Sequence, residues 1–125
     1  MMNIIATRGN TYSPHLVLNE PSKKINLSLK SSTWDFLQMA TWQVVNHKDG
    51  TGKNAKVAGA EVYGKTGTAQ NPHGEDHSWF TGYLVKDGIP VLSAVVLVEH
   101  GGKGSVEAAL ISHEIFKYAQ ENSPF

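Results

Sequence analysis

The hydrophobic positions change period several times along the chain, and each change marks an element. Met1 to Arg8 reads as the last turns of a helix, stopped by Gly9, which suits the position after a helix end. Thr11 to Leu18 is extended, because Pro14 pushes its predecessor out of the helical region. In Lys24–Leu29, apolar Ile25, Leu27 and Leu29 alternate with Asn26 and Ser28, the period of a strand. The period then lengthens. Trp34, Leu37, Thr41, Val44 and Val45 recur at helical spacing, and Ser31 or Ser32 supplies a cap for a helix to about His47. Glycines and polar residues in Asn46–Asn54 end it.

Three strand-like runs follow. Ala60–Thr68 is strand-prone at Val62 and Tyr63 and weakened by Gly64 and Gly67. Asn71–Asp76 is a polar loop. Ser78–Val85 and Pro90–Val98 flank Asp87-Gly88, which predicts an antiparallel hairpin turning at Lys86–Ile89. Pro90–Val98 is apolar on both faces, so it is expected centrally in a covered sheet. Glu99–Gly104 predicts a flexible, glycine-rich loop. Ser105 is placed to cap a last helix to about Ala119, with Val106, Ala109, Leu110, Ile115 and Phe116 facing inward. This order is that of an α+β fold, an antiparallel sheet of at least three strands flanked by helices, with no internal repeat.

Composition narrows the function classes. The 125 residues suit one domain of ordinary size. Eleven Lys and Arg balance eleven Asp and Glu, so charge offers no reason to expect nucleic acid or an acidic membrane as partner. The pair Lys23-Lys24 reads as a solvated loop. There is no cysteine, which excludes disulfides, thiolate chemistry and Cys-based zinc sites. No stretch reaches the roughly 18 apolar residues of a membrane span. Met1–Ala6 is too short for a signal peptide and lacks a basic leader. His73, Asp76 and His77 lie in a loop without recognised metal-ligand spacing, and no metal is assigned. Glu99 and His100 close a strand beside glycines and read as loop. Trp34 and Trp42 are expected in the core, as is at least one of Trp79 and Phe80.

The chemistry concentrates at Lys65. Gly59 to Thr66 fits the pattern G-x-x-x-x-G-K-[ST] of a phosphate-binding loop. Such a loop needs a helix starting at its lysine, so that the first amides face the phosphates. Gly67 follows at once and Pro72 soon after, leaving no room for one. On a strand, Lys65 and Gly67 share one face and Thr66 and Thr68 the other. A cation then stands beside a position without a side chain, where a ligand backbone can approach. Threonine hydroxyls add donors for a carboxylate. The pattern suits an extended peptide that ends in a carboxylate.

Lys65-Thr66-Gly67 is also the K-T-G element of penicillin-binding proteins and serine β-lactamases. Lys65–Gln70, "KTGTAQ", resembles the class B penicillin-binding proteins, with the elongation-type peptidoglycan D,D-transpeptidases nearest. Ala6–Val17, Trp42–Gly52, Asp76–Leu84 and Val95–Ala109 resemble further segments of that family, so nearly the whole chain is covered. The resemblance implies acyl transfer through a serine ester, with no cofactor. Its implied partners are the D-Ala-D-Ala stem peptide and β-lactams. It makes Lys65 the catalytic cation and Thr68 N–H an oxyanion donor, a group typically worth about 3 kcal/mol in the transition state. Thr66, Gly67, Thr68 and Gln70 would bind substrate, with Ala69 beside them.

The family's nucleophile comes from S-x-x-K, with a second element S-x-N. No serine here has lysine three residues on or asparagine two residues on, and no Tyr-x-Asn substitutes. Residues 1–125 are therefore expected to be the C-terminal portion of a transpeptidase domain, without its nucleophile and inactive alone. Their partners would include the missing N-terminal part of the domain, or other copies through an exposed apolar face. The parent is expected outside the cytoplasmic membrane, anchored by a segment not in these residues. The alternatives are a serine β-lactamase or penicillin sensor, a non-catalytic peptide-binding or assembly module, and, last, a nucleotide-binding protein.

Overall fold

A computed structural model describes residues 1–122. The elements are α1 (Met2–Ala6), β1 (Asn10–Tyr12), β2 (Lys24–Asn26), α2 (Ser31–Asn46), a short 3-10 turn (Lys53–Ala55), β3 (Glu61–Ala69), β4 (His77–Lys86), β5 (Ile89–Val98) and α3 (Glu107–Asn122). Strands β1 and β2 pair antiparallel in a small separate sheet. Strands β3, β4 and β5 form the main antiparallel sheet, in chain order.

The hairpin between β4 and β5 turns where the sequence predicts. Asp87 (φ 51°) and Gly88 (φ 78°) both adopt the left-handed conformation that a two-residue hairpin turn of this hand requires. Gly9 (φ 94°) stops α1, its N–H donating to Ile4 O at 2.8 Å.

Cross-strand partners share a face, and neighbours along a strand alternate. One face of the main sheet carries Val62, Phe80, Leu84 and Val96. It packs against Val45 of α2, Ala55, Val57, and Ala108, Ala109 and Phe116 of α3. Phe80 is fully buried, and its ring fills the slot above Gly64 and Gly82, which face each other across β3 and β4. A Cβ at Gly64 would lie 2.3 Å from Phe80 Cζ, so the glycine that weakens this strand locally makes room for the Phe80 ring. Phe80→Ala should cost about 3–5 kcal/mol of stability, read as a lowered urea midpoint at unchanged slope.

The other face is covered only at one end. There α1 lays Met2, Ile5 and Ala6 over Tyr83 and Val85, with Leu37 and Tyr63 alongside. Tyr63 and Tyr83 stack with centroids 4.8 Å apart. Burial pushes the Tyr83 phenol up to about 12, partly offset by the nearby Thr41 hydroxyl. That hydroxyl donates to the backbone of α2, and Tyr83 Oη has no hydrogen-bond partner among the described residues. Burial and the Glu61 carboxylate raise Tyr63 as well. The fold therefore keeps the Tyr83 proton where the unfolded chain, titrating near 10, has lost it. The unfolded state binds fewer protons in that window, so stability falls as pH rises from about 10 to about 12, by roughly 2 kcal/mol. Tyr83→Phe should remove most of this loss in alkaline denaturation curves.

Several sequence expectations need correction. Strand β5 is an outer strand among the described residues, and much of it is exposed. Its two apolar faces read as central, but α3 covers the face that carries Val96, and α1 reaches the other face at one end only. Helix α2 begins after Lys30 with no side-chain cap, and Ser31 Oγ instead accepts from Arg8 Nη2 at 2.9 Å. Helix α3 buries Ala108, Ala109, Ser112 and Phe116, whereas Val106, Leu110 and Ile115 are exposed. The small alanines and serine allow α3 to approach the sheet closely. Trp34 is buried, but Trp42 is half-buried, its indole N–H donating to Glu61 Oε1 at 2.9 Å.

Candidate functional site

Lys65 sits in the middle of β3, which rules out the phosphate-loop geometry: no helix starts there. Strand β3 is an outer strand, and its ladder shows which backbone groups face away from β4. Val62 O accepts from Asn46 Nδ2 at 2.9 Å, and Thr66 O accepts from Lys65 Nζ at 2.6 Å. Both carbonyls thus serve side chains on the outer side. In an antiparallel strand the N–H and C=O of one residue point to the same side, with a period of two. The N–H of Thr68 therefore points outward as well. The ammonium of Lys65 and the outward amide of Thr68 share one open edge.

The side chains divide between the faces. Lys65 and Gly67 lie opposite Thr81 and Trp79 of β4 on the face that α1 leaves uncovered. Lys65 is exposed, as is Trp79. A Cβ on Gly67 would press to 3.3 Å from Trp79 Cβ, so glycine keeps this groove floor low. Leu97 and Val95 of β5 continue the same face, 44 % and 67 % exposed. Ala69 ends the strand and Gln70 follows it, exposed.

Thr66 and Thr68 point to the opposite face, and each meets a loop. Thr66 Oγ1 lies 2.8 Å from Thr51 Oγ1, in the turn after α2. Thr68 Oγ1 accepts the Gly104 N–H at 3.2 Å, from the loop between β5 and α3. Neither loop partner was legible in the sequence. Residues Thr51 and Gly104 are far from the lysine in the chain, and the only signal was that both belong to glycine-rich runs.

The glycine-rich loop is tied down at several points. Gly102 N–H donates to Asp76 O at 2.7 Å, and Gly101 N–H to Val98 O. His77 and His100, read as loop residues, belong to this bracing. His77 Nδ1 accepts the His100 N–H at 3.0 Å, and the His100 ring contacts Asn71 Nδ2 and Glu75 O. Asp76 Oδ1 accepts the Asn71 N–H. These contacts close the loop between β3 and β4 over the end of the lysine strand.

The geometry offers a cation, an outward amide and two hydroxyls along one strand, suited to an extended ligand with a carboxylate and a carbonyl. The comparisons identify the family. Residues 1–117 match the family model of the penicillin-binding protein transpeptidase domain. The chain is 31 % identical to a peptidoglycan D,D-transpeptidase, MrdA, of Haemophilus influenzae, over 92 % of this chain and 22 % of that protein. It is 29 % identical to the MrdA of Acinetobacter baumannii, over 90 % of this chain and 18 % of that protein. The chain thus spans about a fifth of the length of these curated relatives. Its fold superposes on the D,D-transpeptidase domain of a peptidoglycan glycosyltransferase from Eggerthella lenta with a TM-score of 0.77 and 25 % identity, covering 97 % of this chain and 30 % of that one. The fold likeness extends to Pseudomonas aeruginosa PBP2 in complex with WCK 5153, with a TM-score of 0.70 and 19 % identity over 98 % of this chain and 28 % of that one. A strand-borne K-T-G, the antiparallel sheet that carries it and a family match over almost the whole length converge: the chain belongs to the penicillin-binding protein transpeptidase family.

Proposed function

We propose that residues 1–125 are the C-terminal portion of the transpeptidase domain of a class B, elongation-type penicillin-binding protein. The reaction is acyl transfer: a serine hydroxyl attacks the D-Ala-D-Ala amide, the terminal D-alanine leaves, and an amine of a second peptide takes the acyl group from the serine ester. The substrate is the peptidoglycan stem peptide, and β-lactams compete for the same groove. No cofactor is needed. The nucleophile and its lysine belong to a part of the polypeptide outside these residues.

One observation carries this reading. Lys65 and the outward Thr68 amide stand on one open edge beside Gly67, while the chain holds no serine with a lysine three residues on. In the proposed assignment Lys65 places positive charge near the attacking serine, Thr68 N–H receives the developing oxyanion, and Thr66, Thr68 and Gln70 border the peptide groove. The exposed Trp79, Val95 and Leu97 would be covered by the rest of the domain, and otherwise offer a surface for self-association. No helix of the described residues is long and apolar enough to cross a membrane. The proposed site of action is outside the cytoplasmic membrane, where the substrate is.

The test is labelling of the complete polypeptide by a fluorescent penicillin, with intact mass and peptide mapping. One adduct on an S-x-x-K serine, competed by a D-Ala-D-Ala peptide, is expected. Rapid hydrolytic turnover of penicillin would favour the β-lactamase alternative, and no adduct at all would favour the non-catalytic module.

A further inference from the structure

We propose that the loop between β5 and α3, anchored by Ser78, aims the hydroxyl proton of Thr68 at a ligand along the outer edge of β3, which makes Ser78 and Gly104 positioning residues for recognition of the ligand carboxylate. This rests on the reading of the site given above.

Thr68 and Ser78 are direct cross-strand partners on β3 and β4, so their hydroxyls share a face. Consecutive residues of one loop engage both. Lys103 O accepts from Ser78 Oγ at 3.0 Å, and Gly104 N–H donates to Thr68 Oγ1 at 3.2 Å. Ser78 Oγ also accepts the Ala108 N–H at 3.1 Å, so one fully buried hydroxyl caps α3 and holds the loop before it.

The direction of the Thr68 proton follows from donor chemistry. A backbone N–H only donates, so Thr68 Oγ1 is the acceptor toward Gly104. Its own proton must point elsewhere, and no acceptor among the described residues takes it. Gly104 sits over the gap between β3 and β4, and Thr68 is exposed, so that proton is left on the outer-edge side of β3, beside the outward Thr68 amide, free for an anionic oxygen of a ligand along that edge. A hydroxyl with no such neighbour would rotate freely and would have to be ordered by the ligand.

Gly104 is fixed by contact as well as by hydrogen bonding. It is buried, and a Cβ there would lie 1.9 Å from Gly67 O and 2.6 Å from Trp79 O. The loop backbone therefore seats directly on the K-T-G strand and its neighbour. Only glycine allows the Gly104 N–H to reach Thr68 Oγ1 in this seat.

The test compares acylation of the complete polypeptide by a β-lactam carrying its free carboxylate and by the same compound as its methyl ester. The ratio of the two rate constants reports carboxylate recognition. Ser78→Ala should lower that ratio by about ten-fold, the size of one hydrogen bond to a charged group. A purely structural role would slow both compounds equally and leave the ratio unchanged, and that result would overturn the proposal. Ser78 is buried, so a second variant guards against failure to fold. Thr68→Val keeps the shape of an exposed side chain and should lower the ratio while speeding deuterium exchange at the Gly104 amide. Wild-type exchange in Thr68→Val would also overturn the proposal. If neither compound acylates the unmodified polypeptide, the acyl-transfer reading fails and this inference falls with it.

Discussion

Incubated alone with a fluorescent penicillin, the chain is expected to remain unlabelled, while the polypeptide that also carries an S-x-x-K serine takes up one equivalent. An unassisted hydroxyl at its free pKa is a weak nucleophile and needs an adjacent base. None of the serines here has that partner in sequence. Two are also inaccessible: Ser78 and Ser112 are fully buried, and Ser112 Oγ donates to Ala108 O at 2.7 Å. Ser31 is committed to Arg8. An outward Thr68 amide can polarise a lactam carbonyl, but stabilising an oxyanion lowers a barrier only where something attacks. Intact mass resolves the outcome. A stoichiometric adduct on any serine of this chain by itself would refute the proposed division of labour, in which this part of the domain binds and polarises and another part attacks.

The same experiment has a constructive arm. Mixing the chain with a separate fragment that bears S-x-x-K should restore labelling if the open face re-forms the domain interface. The sheet face beyond α1 gives this arm its basis, since Trp79, Val95 and Leu97 are 38 %, 67 % and 44 % exposed. Contiguous apolar surface of this kind is a docking surface more often than a solvated one.

Much of this architecture is legible from period and punctuation. The hairpin at Asp87-Gly88, the helix stop at Gly9 and the three main strands are local features, set by residues a few positions apart. What fails to show in the sequence is non-local. Ser105 looks like the cap of α3 because it sits just before the helix, yet Ser78, on a strand far upstream, supplies the oxygen to Ala108. Strand β5 looks central because both faces are apolar, although a strand's neighbours are a property of topology and not of its own composition. The site divides the same way. The residue set Lys65–Thr68 is readable as a motif. Its supports, Thr51 behind Thr66 and Gly104 behind Thr68, become visible only when the loops fold back onto the strand.

Lys65→Ala in the complete polypeptide should lower the second-order rate constant for acylation by about 100-fold or more, the range seen when one preorganised charge-stabilising group is lost. The lysine is exposed on these residues, with its ammonium 2.6 Å from Thr66 O on the open edge of β3. In the proposed complete domain that edge would face the nucleophile, and removing water there would raise the worth of each charge several-fold over its value in bulk solvent. Alanine removes the cation and leaves the strand, because Lys65 contributes no side chain to either core cluster. Its effect on stability should therefore stay within about 0.5 kcal/mol, the usual range for a surface substitution. That separation of rate from stability is what identifies a chemical role. Lys65→Arg refines it: the charge is kept, but a planar fork replaces a compact ammonium, so only part of the lost rate should return. Stopped-flow acylation with a chromogenic cephalosporin, beside thermal unfolding of the same samples, measures both quantities. Wild-type acylation by Lys65→Ala would show that the cation only decorates the strand and would remove the K-T-G lysine from the proposed mechanism.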